Sequence, residues 1–506
     1  MAQAVRCNRE RIALIHGDRR LTFGEAWERG IRLANLLLSR GALPGDRIGS
    51  LEDNGISAAD LIQACAIANL TRVPLYARNS AEAHVHMLAN TQCKLVIVDA
   101  HYAGEMLSIR GQLPDLVDVI VRDAEFDGLL AESSSEMPSI TIDPDDYYVI
   151  RHTGGTTGKP KAVAYSHRSW LAACRDWFYI FPQVLAGDRC LHVGPISHGS
   201  GYQYLPIWFA GGCNVLMDHF SAEAMVEIIE RERVAFCQVA ATMLRAILDH
   251  PGSVGRDYSS LKCMLVGTAP IHERTARAAR ELMGDILYQG YGQTEVLPVA
   301  FMGPAQWFAD VPGSQPINAC GMVMPFALVE VWDENNHPVP TGDIGEIVAK
   351  ADGQMTSFWN NPEETAERIV DGWIKTGDIG RLDANGYLYL VDRATDMIVS
   401  GGYNIWPLDL ERVIAAHPDI IEVAVFGVPH AKWGETPLAV CVVRDGYAVS
   451  EQHLITRVAE ELGSYMKPSR VVFQLEPLVR SAVGKVNRKA LREPYWMDVD
   501  RRVSGS

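Results

Sequence analysis

A loop rich in glycine, threonine and lysine is the clearest sign of chemistry in this sequence. Residues 150–167 read IRHTGGTTGKPKAVAYSH, after an apolar strand pattern, YYVI. Glycines allow a backbone to approach an anion closely, and N–H groups, hydroxyls and ammonium groups all bind phosphate oxygens. The loop is not a Walker loop, because Thr153 and Pro160 stand where that pattern requires glycine and serine or threonine. We therefore expect a phosphate-binding loop made of Thr153, Gly154, Gly155, Thr156, Thr157, Gly158, Lys159 and Lys161.

The charge of the chain limits the kinds of partner it can have. The 506 residues carry a formal net charge of −16, so we expect no nucleic-acid partner. Residues 393–506 hold 14 basic and 14 acidic side chains, which places the negative excess in residues 1–392. Residues 464–492 contain seven basic residues and one acidic residue, which favours an anionic ligand or an acidic partner face.

Cysteine usage and hydropathy indicate the compartment. Ten cysteines are scattered along the chain without a Cys-x-x-Cys pair, as expected of reduced thiols. The N-terminus has no apolar core of signal-peptide length, and no run of about 18 uncharged apolar residues occurs that could span a membrane. We therefore expect a cytoplasmic protein with no membrane span.

The elements that must position the loop alternate between helix and strand. Patterns such as KLVIVDA, NVLMD and CMLVGTA predict buried strands, separated by amphipathic helices such as SAEAMVEIIERER, an order typical of parallel sheets. Between residues 320 and 392, ALVEVWD, GEIVAK and GYLYLVD alternate with turn residues and predict a small antiparallel region. Residues 396–495 read as a further compact domain of helices and strands.

Seven sequence blocks, in order, carry a resemblance to a known family. They are the loop at 153–161, PISHGSG at 195–201, GTAP at 267–270, YGQTE at 291–295, TGD at 376–378, DRATDMIVSGGYNIWP at 392–407 and GKVNRKALRE at 484–493. Together they resemble the adenylate-forming superfamily of acyl- and aryl-CoA synthetases, peptide-synthetase adenylation domains and firefly-type luciferases. The resemblance implies an α/β fold with a large N-terminal domain of parallel-sheet subdomains plus a β-barrel-like region. A hinge at 393–396 and a small mobile α+β domain at 397–506 would follow the large domain at 1–392.

The resemblance also implies a nucleotide site. The glycine–threonine loop would hold the β- and γ-phosphates of ATP. Thr294 would bind the α-phosphate, Glu295 would coordinate Mg²⁺, and Lys485 would bridge the substrate carboxylate and the α-phosphate. An ionised Asp378 is an acceptor only and suits the two ribose hydroxyls. The remaining ATP or AMP contacts would come from Thr268, Ala269, Pro270, Gln289, Gly290, Tyr291, Gly292 and Arg393.

A second implied site receives the thiol of coenzyme A. Rotation about Thr395 at the hinge would bring Gly401 and Gly402 to the active site, where the lack of side chains leaves room for pantetheine. Trp433 would line the same tunnel. Lys467 and Arg470, within the basic stretch, are candidates for contacts with the phosphates of coenzyme A.

The acyl pocket would lie near His198, which the resemblance places at the entrance to the carboxylate site. Its predicted lining is Ser200, Gly201, Tyr202, Tyr204, Val239, Ala241, Gly267, Val296 and Leu297. No basic residue is among these, so a dicarboxylate is disfavoured and a bulky apolar monocarboxylic acid, whether fatty, aryl or polycyclic, is favoured.

Several functions remain open from the residues alone. The first is an ATP-dependent acyl-CoA synthetase, an acid–thiol ligase that uses Mg²⁺ and coenzyme A. The second is an adenylating enzyme that loads an acyl-carrier protein, and the third is a luciferase-like oxygenase that uses the acyl-adenylate. A ligand-binding protein without activity is disfavoured, because Thr294, Glu295, Asp378, Arg393 and Lys485 are all present. A homodimer is also possible on this evidence.

Overall fold

The computed structural model describes residues 1–153, 160–267, 271, 273–393, 396–401, 403–430, 432–446, 449–481 and 485–496. For Asp392, Arg393 and Asn404 it describes the backbone alone. Six residues of the glycine–threonine loop, Thr268–Pro270, Thr395 and Gly402 therefore lie outside the described residues.

Helices and strands alternate through most of the chain, as the patterns predict. Up to residue 153 they are α1 (Ala2–Asn8), β1 (Ile12–His16), β2 (Arg19–Thr22), α2 (Phe23–Ser39), β3 (Arg47–Leu51), α3 (Ile56–Ala68), β4 (Thr71–Pro74), α4 (Ala81–Thr91), β5 (Leu95–Asp99), α5 (Ala103–Ile109), β6 (Asp118–Arg122), α6 (Phe126–Glu132) and β7 (Tyr147–His152).

The middle of the chain continues this order and then becomes mostly strand. Its elements are β8 (Ala162–Ser166), α7 (His167–Arg175), α8 (Trp177–Ile180), β9 (Arg189–His192), α9 (Gly201–Phe209), β10 (Cys213–Leu216), α10 (Ala222–Arg231), β11 (Phe236–Ala240), α11 (Ala241–Asp249), β12 (Cys263–Gly267), α12 (Glu273–Met283), β13 (Leu287–Gln293), β14 (Val296–Met302), α13 (Pro304–Trp307), β15 (Gly321–Val323), β16 (Ala327–Trp332), β17 (Gly345–Ala351), β18 (Ser357–Phe358), α14 (Pro362–Arg368), β19 (Ile369–Val370), β20 (Trp373–Leu382) and β21 (Tyr387–Arg393).

The C-terminal unit, residues 396–496, has eight helices and strands among its described residues. They are β22 (Ile398–Ser400), β23 (Tyr403–Ile405), α15 (Pro407–Ala415), β24 (Ile420–His430), β25 (Gly434–Val443), α16 (Glu451–Leu462), β26 (Arg470–Gln474) and α17 (Arg488–Arg492).

Three sheets organise the molecule. The largest runs β16-β17-β20-β21-β15-β14-β13-β12-β11-β9-β10-β1-β2, with β19 beside β20. Its strands from β13 through β10 to β1 are parallel, and the predicted antiparallel region continues from the same sheet through β14 and β15. A second sheet runs β18-β8-β7-β4-β3-β5-β6. The third is β23-β22-β25-β24 with β26 beside β25, and it contains only strands of the C-terminal unit.

One apolar core joins the two large sheets. It includes side chains of β7, β8, β12 and β14 together with side chains of α2, α3, α7 and α9. Helix α2 begins at a capping box, in which Thr22 and Glu25 bond each other's backbone N–H groups. Helix α3 is buried on nearly all sides, consistent with its almost uncharged sequence. This packing fixes β7 and β8, which flank the glycine–threonine loop, against the ends of β12 and β13.

The cysteines and the hydropathy of the helices supply two further observations. All ten cysteines are free thiols, and all but Cys7 are buried. No helix within the described ranges is long and apolar enough to cross a bilayer.

Candidate active site

Thr294 and Glu295 lie at the turn between β13 and β14, and two other parts of the chain hold that turn. Tyr165 on β8, in the second sheet, donates its hydroxyl to the carbonyl oxygen of Thr294. The N–H of Met355 donates to the carbonyl oxygen of Glu295 at 2.8 Å. These bonds fix the turn through its backbone carbonyl groups and do not involve the side chains of Thr294 and Glu295.

Asp378 lies at the centre of a buried hydrogen-bond cluster. Its side chain is 5% exposed and accepts from the hydroxyl of Tyr291 at 2.8 Å and from Nε2 of Gln293 at 2.6 Å. Burial and the neighbouring carboxylate raise the pKa of Tyr291 well above its ordinary value, so the phenol stays a donor. Arg393 is the register partner of Asp378 on β21. The cluster joins the YGQTE segment to the TGD segment, as their common nucleotide role predicts.

Arg368, which the sequence did not single out, connects this cluster to Glu295. Its Nη2 donates to Oε1 of Gln293 at 2.9 Å and lies 3.6 Å from Oε1 of Glu295. Gln293 stands inside the YGQTE block and could have been chosen on that ground. Arg368 carried no local signal, because only the tertiary fold brings the end of α14 to this turn.

The residues present fit a magnesium ion only if phosphate completes its shell. Among the described residues no three His, Cys, Asp or Glu side chains gather to hold a metal. Mg²⁺ is usually bound through one or two carboxylates together with substrate phosphates and water. A single buried carboxylate, Glu295, beside a threonine matches that donor set.

The two ends of the glycine–threonine loop are fixed, although its central residues lie outside the described ranges. The N–H of Thr153 donates to the carbonyl oxygen of Lys161 at 2.8 Å, which closes the base of the loop. The ammonium group of Lys161, predicted to bind phosphate, forms an ion pair with Glu364 on α14. A phosphate contact by Lys161 would require exchange of this partner.

His198 lies where charges from both halves of the chain meet. Its Nδ1 accepts from the N–H of Gly199 at 2.6 Å, and its ring lies 4.8 Å from that of Tyr76. Burial first, and then the positive charges of Arg151 and Lys485, hold the pKa of His198 well below its ordinary value. Lys485 of the C-terminal unit therefore faces the same region as His198.

The residues predicted to line the acyl pocket do not all lie on one side of the elements that carry them. Tyr202 packs on Trp170, but Tyr204 lies on the other side of α9, where its hydroxyl accepts from Gln63 at 3.3 Å. Helix positions two apart do not share a face, and the sequence alone did not set the phase of α9. Val239 is buried in an apolar core cluster, and its place in the acyl pocket stays a prediction.

Two of the small residues in the predicted acyl pocket have structural roles that do not depend on room for a substrate. A Cβ on Gly201 would come within 2.0 Å of the carbonyl oxygen of Ile196, so the backbone itself requires glycine. Ser200 is engaged with Nδ1 of His192 at 2.7 Å, and that ring is held by Asn214. Beyond these, Val296 is buried, and Gly267, Ala241 and Leu297 are partly buried.

The other predicted nucleotide contacts lie on β13 beside Tyr291. Gln289 donates to the carbonyl oxygen of Ala319 at 3.1 Å, while its buried Oε1 has no partner among the described residues. A Cβ on Gly290 would meet Phe301 at 3.3 Å. A Cβ on Gly292 would lie 2.3 Å from Cδ1 of Leu297, so a larger residue there would require this side chain to move.

Two of the residues predicted for the thiol site of the C-terminal unit, Gly401 and Trp433, are in contact. Gly401, at φ +57°, donates its N–H to the carbonyl oxygen of Trp433 at 2.9 Å. Trp433 is 45% exposed and stacks on His430, with ring centroids 4.4 Å apart. Lys467 and Arg470 are both exposed. An exposed aromatic side chain over a left-handed glycine is free to contact a ligand.

Comparisons with known proteins agree with this geometry. The family described as AMP-binding enzyme matches residues 1–359, and the one described as AMP-binding enzyme C-terminal domain matches residues 409–485.

Individual relatives match nearly the whole chain. A medium/long-chain-fatty-acid–CoA ligase, FadD8 of Mycobacterium tuberculosis, is 32% identical over 99% of this chain and 90% of its own length. A feruloyl-CoA synthase of an Amycolatopsis species is 32% identical over 96% of each protein. The crystal structure of ATP-bound MatB from Rhodopseudomonas palustris matches with a TM-score of 0.89 at 25% identity over 97% of both chains. The chain thus belongs to the AMP-binding enzyme family and is an acid–thiol ligase of the acyl-CoA synthetase type.

Proposed function

We propose that this ligase activates a bulky, largely apolar monocarboxylic acid with ATP and Mg²⁺ and transfers the acyl group to coenzyme A. The observation that carries the proposal is the convergence of the Thr294–Glu295 turn and the buried Asp378 cluster. The activities for which the two relatives are named, on fatty acids and on ferulate, support a large and mostly apolar substrate.

In the first half-reaction an oxygen of the substrate carboxylate attacks the α-phosphorus of ATP. Pyrophosphate leaves, and the acyl-adenylate remains. In this proposal Asp378 accepts hydrogen bonds from the ribose, and Thr294 donates to the α-phosphate. Lys485 holds the two reacting anions together, since a cation between them offsets their repulsion where charge develops. Glu295 would hold Mg²⁺, which would neutralise phosphate charge when bound.

In the second half-reaction the sulfur of coenzyme A attacks the acyl carbonyl and AMP leaves. The C-terminal unit would rotate at 393–396 to bring Gly401, Gly402 and Trp433 to the acyl-adenylate. Lys467 and Arg470 would then contact the phosphates of coenzyme A.

A panel of carboxylic acids tests the proposal. Pyrophosphate release and thioester formation are measured separately for fatty, aryl and polycyclic acids and for short acids such as acetate. We expect release with the bulky acids and a thioester with coenzyme A. If a thioester formed only on a phosphopantetheinylated carrier protein, the carrier protein and not coenzyme A would be the acceptor. Release with acetate alone would contradict the substrate class.

Lys485→Ala tests the assignment of the catalytic lysine. We expect the rate of adenylation to fall about 10²–10³-fold, as when a single charge-stabilising donor is removed. Thioester formation from supplied acyl-adenylate should be nearly unchanged. Lys489→Ala, on an exposed lysine of α17, is the matched control and should alter neither rate. Near-normal adenylation by Lys485→Ala would refute the assignment.

A further inference from the structure

Arg151 is a buried cation that the adenylation chemistry does not use. It lies on β7, just before the glycine–threonine loop, and its side chain is 1% exposed. Its Nε and Nη1 have no hydrogen-bond partner, and it forms no ion pair with any residue in the described ranges. A charged residue inside the apolar run YYVIRH was the signal available in the sequence, and the pocket assignment did not include it.

Aromatic side chains surround this guanidinium. Its central carbon lies 4.8 Å from the ring centre of Tyr202 and 5.7 Å from that of Trp170. The two rings stack on each other, with centroids 4.8 Å apart. The hydroxyl of Tyr202 is also buried, and it lies near the guanidinium of Arg151 and the hydroxyl of Tyr165. The N–H groups of Arg151 that lack an acceptor therefore lie beside the buried hydroxyl of Tyr202. We call this pair of residues the Arg151–Tyr202 patch.

The patch borders the reacting region. The charge of Arg151 reaches His198 strongly enough to lower its pKa. Tyr202 was assigned to the acyl pocket from the sequence, and it lies beside Tyr165, whose hydroxyl bonds the Thr294 carbonyl at the catalytic turn. An acyl group entering past His198 would therefore meet the patch.

The energetics favour an occupant with an acceptor atom. A buried N–H without an acceptor costs about 1–3 kcal/mol, and more when the group is charged. Stacking on Tyr202 and Trp170 offsets part of the cost of burying the cation, but it leaves the N–H groups in the guanidinium plane unsatisfied. An oxygen in that plane would satisfy them, and arginine can donate two parallel bonds to it.

We propose that the Arg151–Tyr202 patch recognises an oxygen acceptor on the acyl group, a carbonyl or a carboxylate, remote from the carboxyl group that is activated. This inference rests on the proposed function and deepens it. The substrate is then a bulky acid with a mostly apolar body and one polar function at depth.

Matched acids of one carbon skeleton test the proposal: the hydrocarbon acid, its analogue with a distal ketone and its analogue with a distal carboxylate. Wild-type kcat/KM for pyrophosphate release should favour one oxygenated analogue at least about tenfold, because the analogue without oxygen leaves the donors unpaired. Comparison of the ketone analogue with the carboxylate analogue identifies which kind of oxygen the patch binds. Arg151→Met should abolish this preference while retaining activity on the hydrocarbon acid.

Two further variants exclude a merely structural explanation. Tyr202→Phe keeps the ring and removes the hydroxyl, so it should reduce the preference even if Arg151→Met does not fold. Arg72→Met is the matched control. Arg72 lies on β4, the strand beside β7, and it is also a buried arginine, with its guanidinium over the ring of Tyr148. It should leave the preference unchanged.

The outcomes separate the two proposals. A wild-type enzyme that prefers the hydrocarbon acid overturns the patch alone, as does an equal change of preference in Arg151→Met and Arg72→Met. Absence of pyrophosphate release with every acid overturns the proposed function, and this inference falls with it.

Discussion

At the scale of single residues, the site depends on buried polar groups whose partners are already in place. Asp378 accepts from Tyr291 and Gln293 before any ligand is present, and Arg368 holds the amide of Gln293 in turn. Such a network fixes the carboxylate in one orientation, and the low dielectric around it strengthens each bond. The ribose would then meet an acceptor that does not need to reorganise.

Asp378→Asn tests that role. The amide would turn an N–H₂ toward the donors of Tyr291 and Gln293, and a charge-assisted bond to the ribose would be lost. We expect the KM for ATP to rise about ten- to a hundredfold, which corresponds to about 1.5–3 kcal/mol. Asp383→Asn is the contrast, because Asp383 accepts from Ser314 and Tyr389 directly after the same strand. It should lower the melting temperature and leave the KM for ATP unchanged; the opposite pattern would refute the assignment.

His198 offers a prediction about pH. Since burial and then the cations Arg151 and Lys485 hold the pKa of His198 well below its ordinary value, the ring is already neutral in the range near pH 6.5 where an unperturbed histidine titrates. The profile of kcat/KM against pH should therefore have the same shape in wild type and His198→Asn, although the absolute rates differ. An inflection near pH 6.5 in the wild type that the variant lacks would contradict this prediction.

The residue types of the site could be predicted from the sequence, but not every direction in which they point. The YGQTE and TGD segments converge as predicted, because each is a motif with a local signal. Tyr204 contacts Gln63 and Val239 lies in an apolar core cluster, and the sequence alone did not set the phase of α9 or the register of β11. Arg368 comes from a distant helix, and no sequence spacing announces it.

At the scale of elements, an ion cluster fixes the segment that carries Lys485. Arg488, at the start of α17, donates to Asp396 at 3.1 Å and pairs with the buried Glu411 of α15 at 2.7 Å. Glu411 also accepts from the N–H of Val425 on β24. Three elements of the C-terminal unit thus meet three residues from Lys485, the proposed catalytic lysine.

Arg488→Met should therefore slow adenylation and destabilise the protein. Loss of the arginine leaves Glu411 buried and unpaired, at a cost of about 3 kcal/mol. We expect at least a tenfold fall in adenylation and a lower melting temperature. The double variant Arg488→Met/Glu411→Gln removes the stranded charge, so it should recover stability without recovering the rate. Recovery of both the stability and the adenylation rate would mean that the ion cluster has only a structural role. Lys489→Met, on the same helix, is the control.

The order of helices and strands was predictable because hydrophobic periodicity and caps are local. The capping box of Thr22 and Glu25 marks the start of α2, and the apolar runs mark the parallel strands. The short strand β2 forms a local hairpin with β1 that the sequence patterns did not single out. The continuity of the antiparallel strands with the large sheet was not predictable, because it depends on pairings such as that of β15 with β21, which are distant in sequence. The domain boundaries at 392 and 397 stay a prediction.

At the scale of the whole molecule, charged side chains of the two units meet at their junction. Arg444, after β25, donates to Asp249 at the end of α11 at 3.3 Å, and Asp249 also pairs with Arg245. Burial, followed by the charges of Arg245 and Arg444, lowers the pKa of Arg274. Asp249 therefore offsets repulsion among three arginines, one of which belongs to the C-terminal unit.

Asp249→Asn should shift the balance between the two half-reactions. Without the carboxylate, Arg444 is repelled from Arg245 and Arg274, and the arrangement that brings Lys485 to His198 loses about 0.2–1 kcal/mol, as expected of an exposed pair. The ratio of the adenylation rate to the rate of thiol transfer from supplied acyl-adenylate should fall up to about fivefold at low salt. At 1 M salt, where screening acts over about 3 Å, the difference should vanish.

Two variants complete this test of the junction. The double variant Asp249→Asn/Arg444→Gln removes the repelled charge as well, so its ratio should return toward that of the wild type. Glu461→Gln is the control, because its partner Arg457 lies on the same helix and no second unit is involved. An equal loss in both half-reactions, or a ratio indifferent to salt, would mean that this junction does not govern the position of the C-terminal unit.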